Sequence, residues 1–275
     1  PSAARRLPRA NPSPGTMAME LRLDSLAAAA VDLSSTPGMR ILVVVDDSIR
    51  YDGTHGHLGD AAATPVQRHH VYDLASITKV ATSTLLTMMS VEKGVFQLEQ
   101  PLSALLPTDD DAPLNPELGQ RTLRDVLAHR SGLPAWIPFY VDLVAHEDSM
   151  GGVLSSEPVP GWIPLCEGQC MHPMWCDSIR RTVRAIEPQP AGHYRYSDVG
   201  YYLLQDILES QWDLSLEQLA DSLIHRPLGL QHIGFHPLEW SPMEHIAPTE
   251  LDTTFRSAWV RGSVEEHGDA LLGEV

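Results

Sequence analysis

The chain of 275 residues is long enough to bury a sizeable core as one large domain or two smaller ones, and its 43% hydrophobic and 20% charged residues exclude global disorder. A formal net charge of −17 repels phosphate backbones and anionic lipid, so nucleic acid and membrane surfaces are excluded as principal partners. No apolar run approaches the roughly 18 residues that a membrane span needs.

Residues 1–16 carry Arg5, Arg6 and Arg9, several prolines and no acid, which predicts a tail or disordered segment outside the fold. No apolar h-region follows, so no secretory signal is read and the cytoplasm is favoured. Residues 17–275 then form the folded domain. Glu20 to Leu33 reads as an alanine-rich amphipathic helix, and Arg40 to Val45, the Asp46-Asp47 turn and Ser48 to Leu58 read as an antiparallel hairpin. A long apolar helix from Ser76 to Lys93 follows, closed by Gly94 as a left-handed cap. From about residue 95 to 230, helical segments (Thr122 to His129, Ser197 to Ser210, Ser215 to His225) alternate with Pro/Gly-rich loops, which predicts an all-helical lobe. Cys166, Cys170 and Cys176 lie close together around His172. Their spacing favours ordinary loop cysteines, or one disulfide with a leftover thiol, over a structural zinc site.

Of the 19 basic residues only Lys79 and Lys93 are lysines. Lys79 is the sole formal charge between Leu74 and Val91, and a helix with no charged face is expected to be buried on most sides. Burial disfavours an ammonium ion, so Lys79 is expected to spend part of its time as a neutral amine able to act as a base. Ser76 stands three residues earlier on the same helical face, which makes it a candidate nucleophile. Its place at the helix start is expected to add free backbone N–H groups for an oxyanion. A second Ser-x-x-Lys, Ser90 to Lys93, falls in the last helical turn beside Glu92, where a solvated lysine complements the helix dipole.

Four runs in order carry a family resemblance: Leu74-Ala75-Ser76-Ile77-Thr78-Lys79; Leu127-Ala128-His129-Arg130-Ser131-Gly132-Leu133-Pro134; Tyr194-Arg195-Tyr196-Ser197-Asp198-Val199-Gly200-Tyr201; and Arg226-Pro227-Leu228-Gly229-Leu230. Together they resemble the serine β-lactamase-related family of class C β-lactamases, D-alanyl-D-alanine carboxypeptidases and family VIII esterases. The resemblance implies an α+β fold of the β-lactamase/transpeptidase type, with an antiparallel sheet flanked by helices plus a helical lobe. It further implies that Ser76 is acylated, that Lys79 is its proton partner, and that Tyr196 faces them as the tyrosine of a Tyr-x-Asn element. His129 reads as a fold marker, a histidine complementing a helix C-terminus while Gly132 supplies the left-handed cap.

The sequence departs from the family twice. Asp198 stands where the β-lactamases have asparagine; it only accepts hydrogen bonds and repels carboxylates, which points to a less anionic ester or amide as the bound substrate. The third family element, a Lys/His-x-Gly strand, is missing, since His57-Leu58-Gly59 and His232-Ile233-Gly234 fall in the wrong places, and Trp259 to Val275 resembles the loop before the absent strands. The C-terminal strands are therefore expected to be truncated. The expected function is a serine hydrolase acting on a small ester, amide or peptide with no metal or cofactor; the alternative is a catalytically silent binding or scaffold module of the same fold.

Overall fold

The computed structural model describes residues 7–11, 13–59, 63–166 and 169–262. The first helix, α1 (Pro14–Asp32), starts six residues before the sequence expectation. The Ser13 hydroxyl accepts the Thr16 N–H at 3.1 Å, and Pro14 at the first helical position lacks the donor that a helix start would leave orphaned. Strands β1 (Gly38–Val45) and β2 (Ser48–Gly56) pair antiparallel from Gly38 opposite Gly56 to Val45 opposite Ser48, with a bulge between Val43 and Val44. Asp46 and Asp47 both take positive φ, 50° and 54°, the backbone twist that suits a two-residue hairpin turn. α1 packs on β2, where burial, with the Asp24 carboxylate as acceptor, pushes the Tyr51 phenol up to about 12 and keeps it a donor between the two elements.

The basic N-terminal segment is not wholly a tail. Arg9 bridges to Ile49, with Ala10 N–H donating to the Ile49 carbonyl and Ile49 N–H to the Pro8 carbonyl, both at 2.9 Å. The open edge of β2 supplies unpaired backbone groups that an extended arginine-rich segment can satisfy as well as any strand. Residues 1–6 lie outside the described part.

The serine-bearing helix runs from Ile77, passes through a π-helical stretch at Lys79–Thr84, and continues as α2 (Leu85–Glu92). Gly94 at φ 71° closes it, its N–H donating to Val91 and that of Val95 to Ser90, as the sequence predicts. It is buried on one side only. Leu86, Thr87 and Ser90 are buried, while Ile77, Val80 and Met88 are 57%, 60% and 61% exposed, because no described residue covers that flank. The chargeless run therefore overstated the enclosure.

The lobe begins with α3 (Leu102–Leu105), α4 (Pro116–Gly119), α5 (Leu123–Leu127) and α6 (Phe139–Met150). It is not all-helical: β3 (Leu154–Ser155), β4 (Ile163–Cys166) and β5 (Gln169–Met171) form an antiparallel sheet in the order β3-β5-β4. Strands of two to four residues among prolines and cysteines are too short for alternation to show in the sequence. Then come α7 (Met174–Ala185), α8 (Val199–Trp212) and α9 (Leu216–Ala220), the last continuing as a π-helical turn to His225. β6 (Glu250–Asp252) and β7 (Ala258–Val260) pair as a short hairpin, and the residues after Gly262 lie outside the described part.

The main core fills this lobe around α8, whose Val199, Leu203, Leu204 and Ile207 have no exposed surface. Each such side chain contributes about 1.5–3 kcal/mol at most relative to exposure. α5 and α8 approach closely because α8 carries Gly200, where an added Cβ would lie 3.1 Å from Val126 Cγ1. The buried Arg184 of α7 donates to the carbonyls of Ala112 and Pro107 at 2.7 Å, a structural use of a charge. Cys170 is buried with its thiol 3.2 Å from the Glu157 carbonyl, Cys176 is buried on α7, and neither is disulfide-bonded. The Cys166 side chain lies outside the described part, and among the described residues no three potential ligands gather for a metal. No described helix is long and apolar enough to cross a membrane.

Candidate active site

Ser76 sits at a forced bend. Asp73 accepts the Ala75 N–H through Oδ1 at 2.7 Å, and Ala75 takes φ 44°, so the chain turns sharply just before the serine and then enters the helix. Lys79 Nζ donates to Ser76 Oγ at 3.2 Å, the i, i+3 adjacency that the sequence predicts. The lysine is 8% exposed. It opens the π-helical stretch, in which the Thr84 hydroxyl donates to the Lys79 carbonyl at 2.7 Å; such bulges often accompany functional sites.

The opposing wall comes from the segment before α8, laced by hydrogen bonds to the loop after α5. Gln189 N–H donates to Gly132, Gly192 to Arg130, Arg195 to His129 and Asp198 to Ala135, at 2.8–2.9 Å. Ser197 Oγ donates to the Pro134 carbonyl at 2.6 Å. Gly132 has φ 82°, and a Cβ there would lie 1.9 Å from the Gln189 carbonyl oxygen, so only glycine lets the two segments touch. This lacing brings Tyr196 to the lysine: Nζ lies 5.7 Å from the Tyr196 ring centroid and 5.8 Å from that of Tyr201.

Asp198 is the nearest charge. Its Oδ1 lies 2.7 Å from Lys79 Nζ, with the two side chains 13% and 10% exposed. The contact is an ion pair rather than an aligned hydrogen bond, and the buried Oδ1 receives no aligned donor. Ser76, Lys79, Tyr196 and Asp198 thus converge on one point. A cavity of about 490 Å³ lies on another flank of the same helix, lined by Thr78, Thr82, His70 and His225 but by none of these four. The cavity and the side-chain constellation are therefore separate features of one helix.

Two expectations need correction. The helix start does not offer its backbone donors freely, because the N–H groups of Ile77, Thr78 and Lys79 donate to the carbonyls of Leu74, Ala75 and Ser76. The tight turn that aims the serine consumes them. Nor is Gly132 the helix cap: α5, opened by the reciprocal Thr122–Asp125 capping box, ends with His129 itself left-handed at φ 54°. Its N–H donates to Val126 and that of Arg130 to Asp125, a Schellman closure around a histidine where glycine is usual. His129 then accepts the Ser197 N–H at Nδ1, 3.1 Å, and lies among the rings of Tyr194, Tyr196 and Tyr201. Burial, then the charge of Lys79, lowers its proton affinity, with Asp198 acting the other way. Tyr201 and His129 were not read as part of the site; the one available signal was the density of tyrosines from Tyr194 to Tyr202.

Known proteins share this fold. A family model described as Beta-lactamase matches residues 23–257. A protein of Escherichia coli (strain K12), provisionally named a D-alanyl-D-alanine carboxypeptidase, is 29% identical over 245 residues, covering 86% of this chain and 51% of the relative. The chain therefore spans about half the length of the curated relatives it matches. The octameric penicillin-binding protein homologue from Pyrococcus abyssi superposes with a TM-score of 0.61 at 23% identity, over 88% of this chain and 50% of that one. EstCE1, a hydrolase with promiscuous acyltransferase activity, gives 0.64 at 20% identity, over 90% and 61%. With a family model matching most of its length and a fold shared with these neighbours, the chain belongs to the beta-lactamase family.

Proposed function

We propose that this chain is a serine hydrolase that forms an acyl-enzyme on Ser76 with a small ester or amide. The observation that carries the reading is the Lys79 amine, held 8% exposed and 3.2 Å from the Ser76 hydroxyl. In the proposed cycle Ser76 Oγ attacks the substrate carbonyl carbon while its proton passes to neutral Lys79. The tetrahedral intermediate collapses, the carbonyl-to-leaving-group bond breaks, and the leaving oxygen or nitrogen takes a proton relayed from Lys79 through the Tyr196 phenol. Water then attacks the acyl carbon, gives its proton back along the same groups, and releases the acid and free Ser76.

Asp198 sets the substrate class in this reading. A carboxylate beside the serine repels an anionic substrate and favours the ammonium form of Lys79, whereas burial favours the amine. A neutral ester suits both constraints better than a penicillin carboxylate does. The carboxypeptidase name carried by relatives is compatible with the same acyl chemistry on a peptide. A fluorophosphonate probe is expected to label the wild-type chain and not Ser76→Ala, and equal labelling of both would end the proposal.

A second reading, a binding module of the same fold without turnover, draws on the same ion pair. A lysine kept charged by Asp198 cannot take the serine proton, and His232-Ile233-Gly234 lines the cavity on another flank rather than the serine. A folded chain that resists every acylating probe yet retains an ester or peptide ligand would favour it.

A further inference from the structure

We infer that His129 is a positioning residue for the acylation: its neutral imidazole accepts the Ser197 N–H and, wedged among three tyrosines, holds the Tyr196 phenol against Lys79. The inference rests on the acyl-enzyme reading above and extends it to a residue that the sequence marks only as part of a helix end.

The first support is the backbone. His129 occupies a left-handed conformation at φ 54°, closing α5 with two Schellman hydrogen bonds that a glycine would make without strain. An L-residue with a Cβ is disfavoured there, and a strained residue at a site wall is reason to ask what its side chain holds. It holds the tyrosine segment by both ends of the residue. The His129 carbonyl accepts the Arg195 N–H at 2.8 Å, and Nδ1 accepts the Ser197 N–H at 3.1 Å, so Tyr196 lies between two backbone anchors on one residue.

The second support is the ring packing. The imidazole centroid is 4.5 Å from that of Tyr196 at 35°, 5.6 Å from Tyr201 at 33°, and 5.9 Å from Tyr194 edge-on at 84°. Tyr196 and Tyr201 are the two phenols flanking Lys79 Nζ. Shifting the imidazole shifts both.

The arrangement works in one charge state. A histidine that accepts at Nδ1 carries its single proton on Nε2; protonation at Nδ1 turns the acceptor into a donor facing another N–H. The groups around it are Lys79 from the serine helix, Asp198 and Tyr201 from α8 and its cap, and Tyr194 and Tyr196 from the laced segment. Burial and the Lys79 charge favour the neutral ring, against the pull of Asp198. The hold on Tyr196 therefore persists through neutral pH and is released as pH falls below the lowered histidine range.

The test compares wild type, His129→Gly and His129→Asn. Glycine fits the left-handed backbone and removes acceptor and ring, while asparagine tolerates the same φ and places Oδ1 where Nδ1 stands. Fluorophosphonate acylation rates from pH 4 to pH 8 are measured beside hydrogen exchange of the Ser197 amide. The glycine variant is expected to acylate at least tenfold more slowly and to exchange Ser197 at least tenfold faster. Asparagine is expected to restore Ser197 protection and part of the rate, and to keep that protection at pH 4, where the wild type loses it. A folded glycine variant with wild-type rate and wild-type Ser197 exchange overturns the inference, as does asparagine no better than glycine in both readouts. Should wild type resist acylation altogether, the enclosing reading fails on its own, and unchanged Ser197 exchange in His129→Gly would still overturn the positioning role.

Discussion

One helix carries the pattern Ser-x-x-Lys twice, and the two copies have opposite surroundings. At Ser76 and Lys79 the hydroxyl follows a left-handed bend, the amine is almost wholly buried, and a carboxylate and two phenols face it. At Ser90 and Lys93 the arrangement is inverted: the serine is fully buried, its hydroxyl donating to the Leu86 carbonyl and accepting the Trp212 indole N–H, while the lysine is exposed beside Gly94. In the proposed reading, identical spacing can give a reactive pair only where the amine, not the hydroxyl, is the buried partner. A serine whose lone pairs and proton are both committed inside a core is a strut, and a solvated ammonium beside it has no reason to take a proton.

The largest test of that contrast is Lys79→Met. Losing a positioned proton acceptor is expected to slow acylation by roughly 10² to 10⁴. It also strands the Asp198 carboxylate, so the variant is expected to lose about 3 kcal/mol in urea unfolding, most of it regained in Lys79→Met/Asp198→Asn without return of activity. Lys93→Met is expected to do neither. A Lys79→Met chain that acylates at the wild-type rate breaks the comparison.

Much of this difference was legible in the sequence. A lone lysine in a chargeless stretch, in a chain that otherwise uses arginine, reports burial of Lys79 directly, and Glu92 and Gly94 report the exposed end at Lys93. Tyr196 and Asp198 were found through their order after Ser76, not through any local property. What stayed illegible depends on backbone dihedrals and on contacts distant in sequence. Nothing in the letters Leu-Ala-His-Arg-Ser-Gly says that the histidine, rather than the glycine five places after Leu127, takes the left-handed cap, because both end up with positive φ and only packing against residues 189–198 assigns them. The donors of Ile77, Thr78 and Lys79 were expected to be open because helix starts usually leave them so; the bend at Ala75 closed them. The Arg9 bridge and the β3-β5-β4 sheet are too short to leave a period.

Ser90→Ala sharpens the other half of the contrast. It removes the acceptor of a part-buried indole N–H and is expected to cost about 1–2 kcal/mol, read as a lower urea midpoint, while probe labelling of Ser76 proceeds at the wild-type rate. Loss of labelling in a folded Ser90→Ala chain would mean that the second copy reaches the first through the helix. Asp198→Asn is the next step down. It removes the charge that favours ammonium at Lys79 and leaves a group that can donate to a substrate carbonyl, so acylation at pH 7 is expected to rise several-fold, more for a carboxylate-bearing penicillin than for a neutral ester. An unchanged ratio between the two substrates would remove Asp198 from substrate selection.

The smallest effect belongs to Lys93→Ala. Lys93 caps the helix, its N–H donating to the Met89 carbonyl at 3.0 Å, and its exposed ammonium sits at the negative end of the helix dipole. A surface cation there contributes about 0.3–1 kcal/mol at low salt, and the neighbouring Glu92 together with ordinary ionic strength reduces it. Replacing it is expected to shift stability by under about 0.5 kcal/mol in dilute buffer, to have no measurable effect in 1 M salt, and to leave acylation untouched. The salt dependence is what gives so small a number meaning. A loss that survives 1 M salt would come from packing of the lysine stem rather than from its charge, and the second pair would then differ from the first in degree of burial rather than in kind.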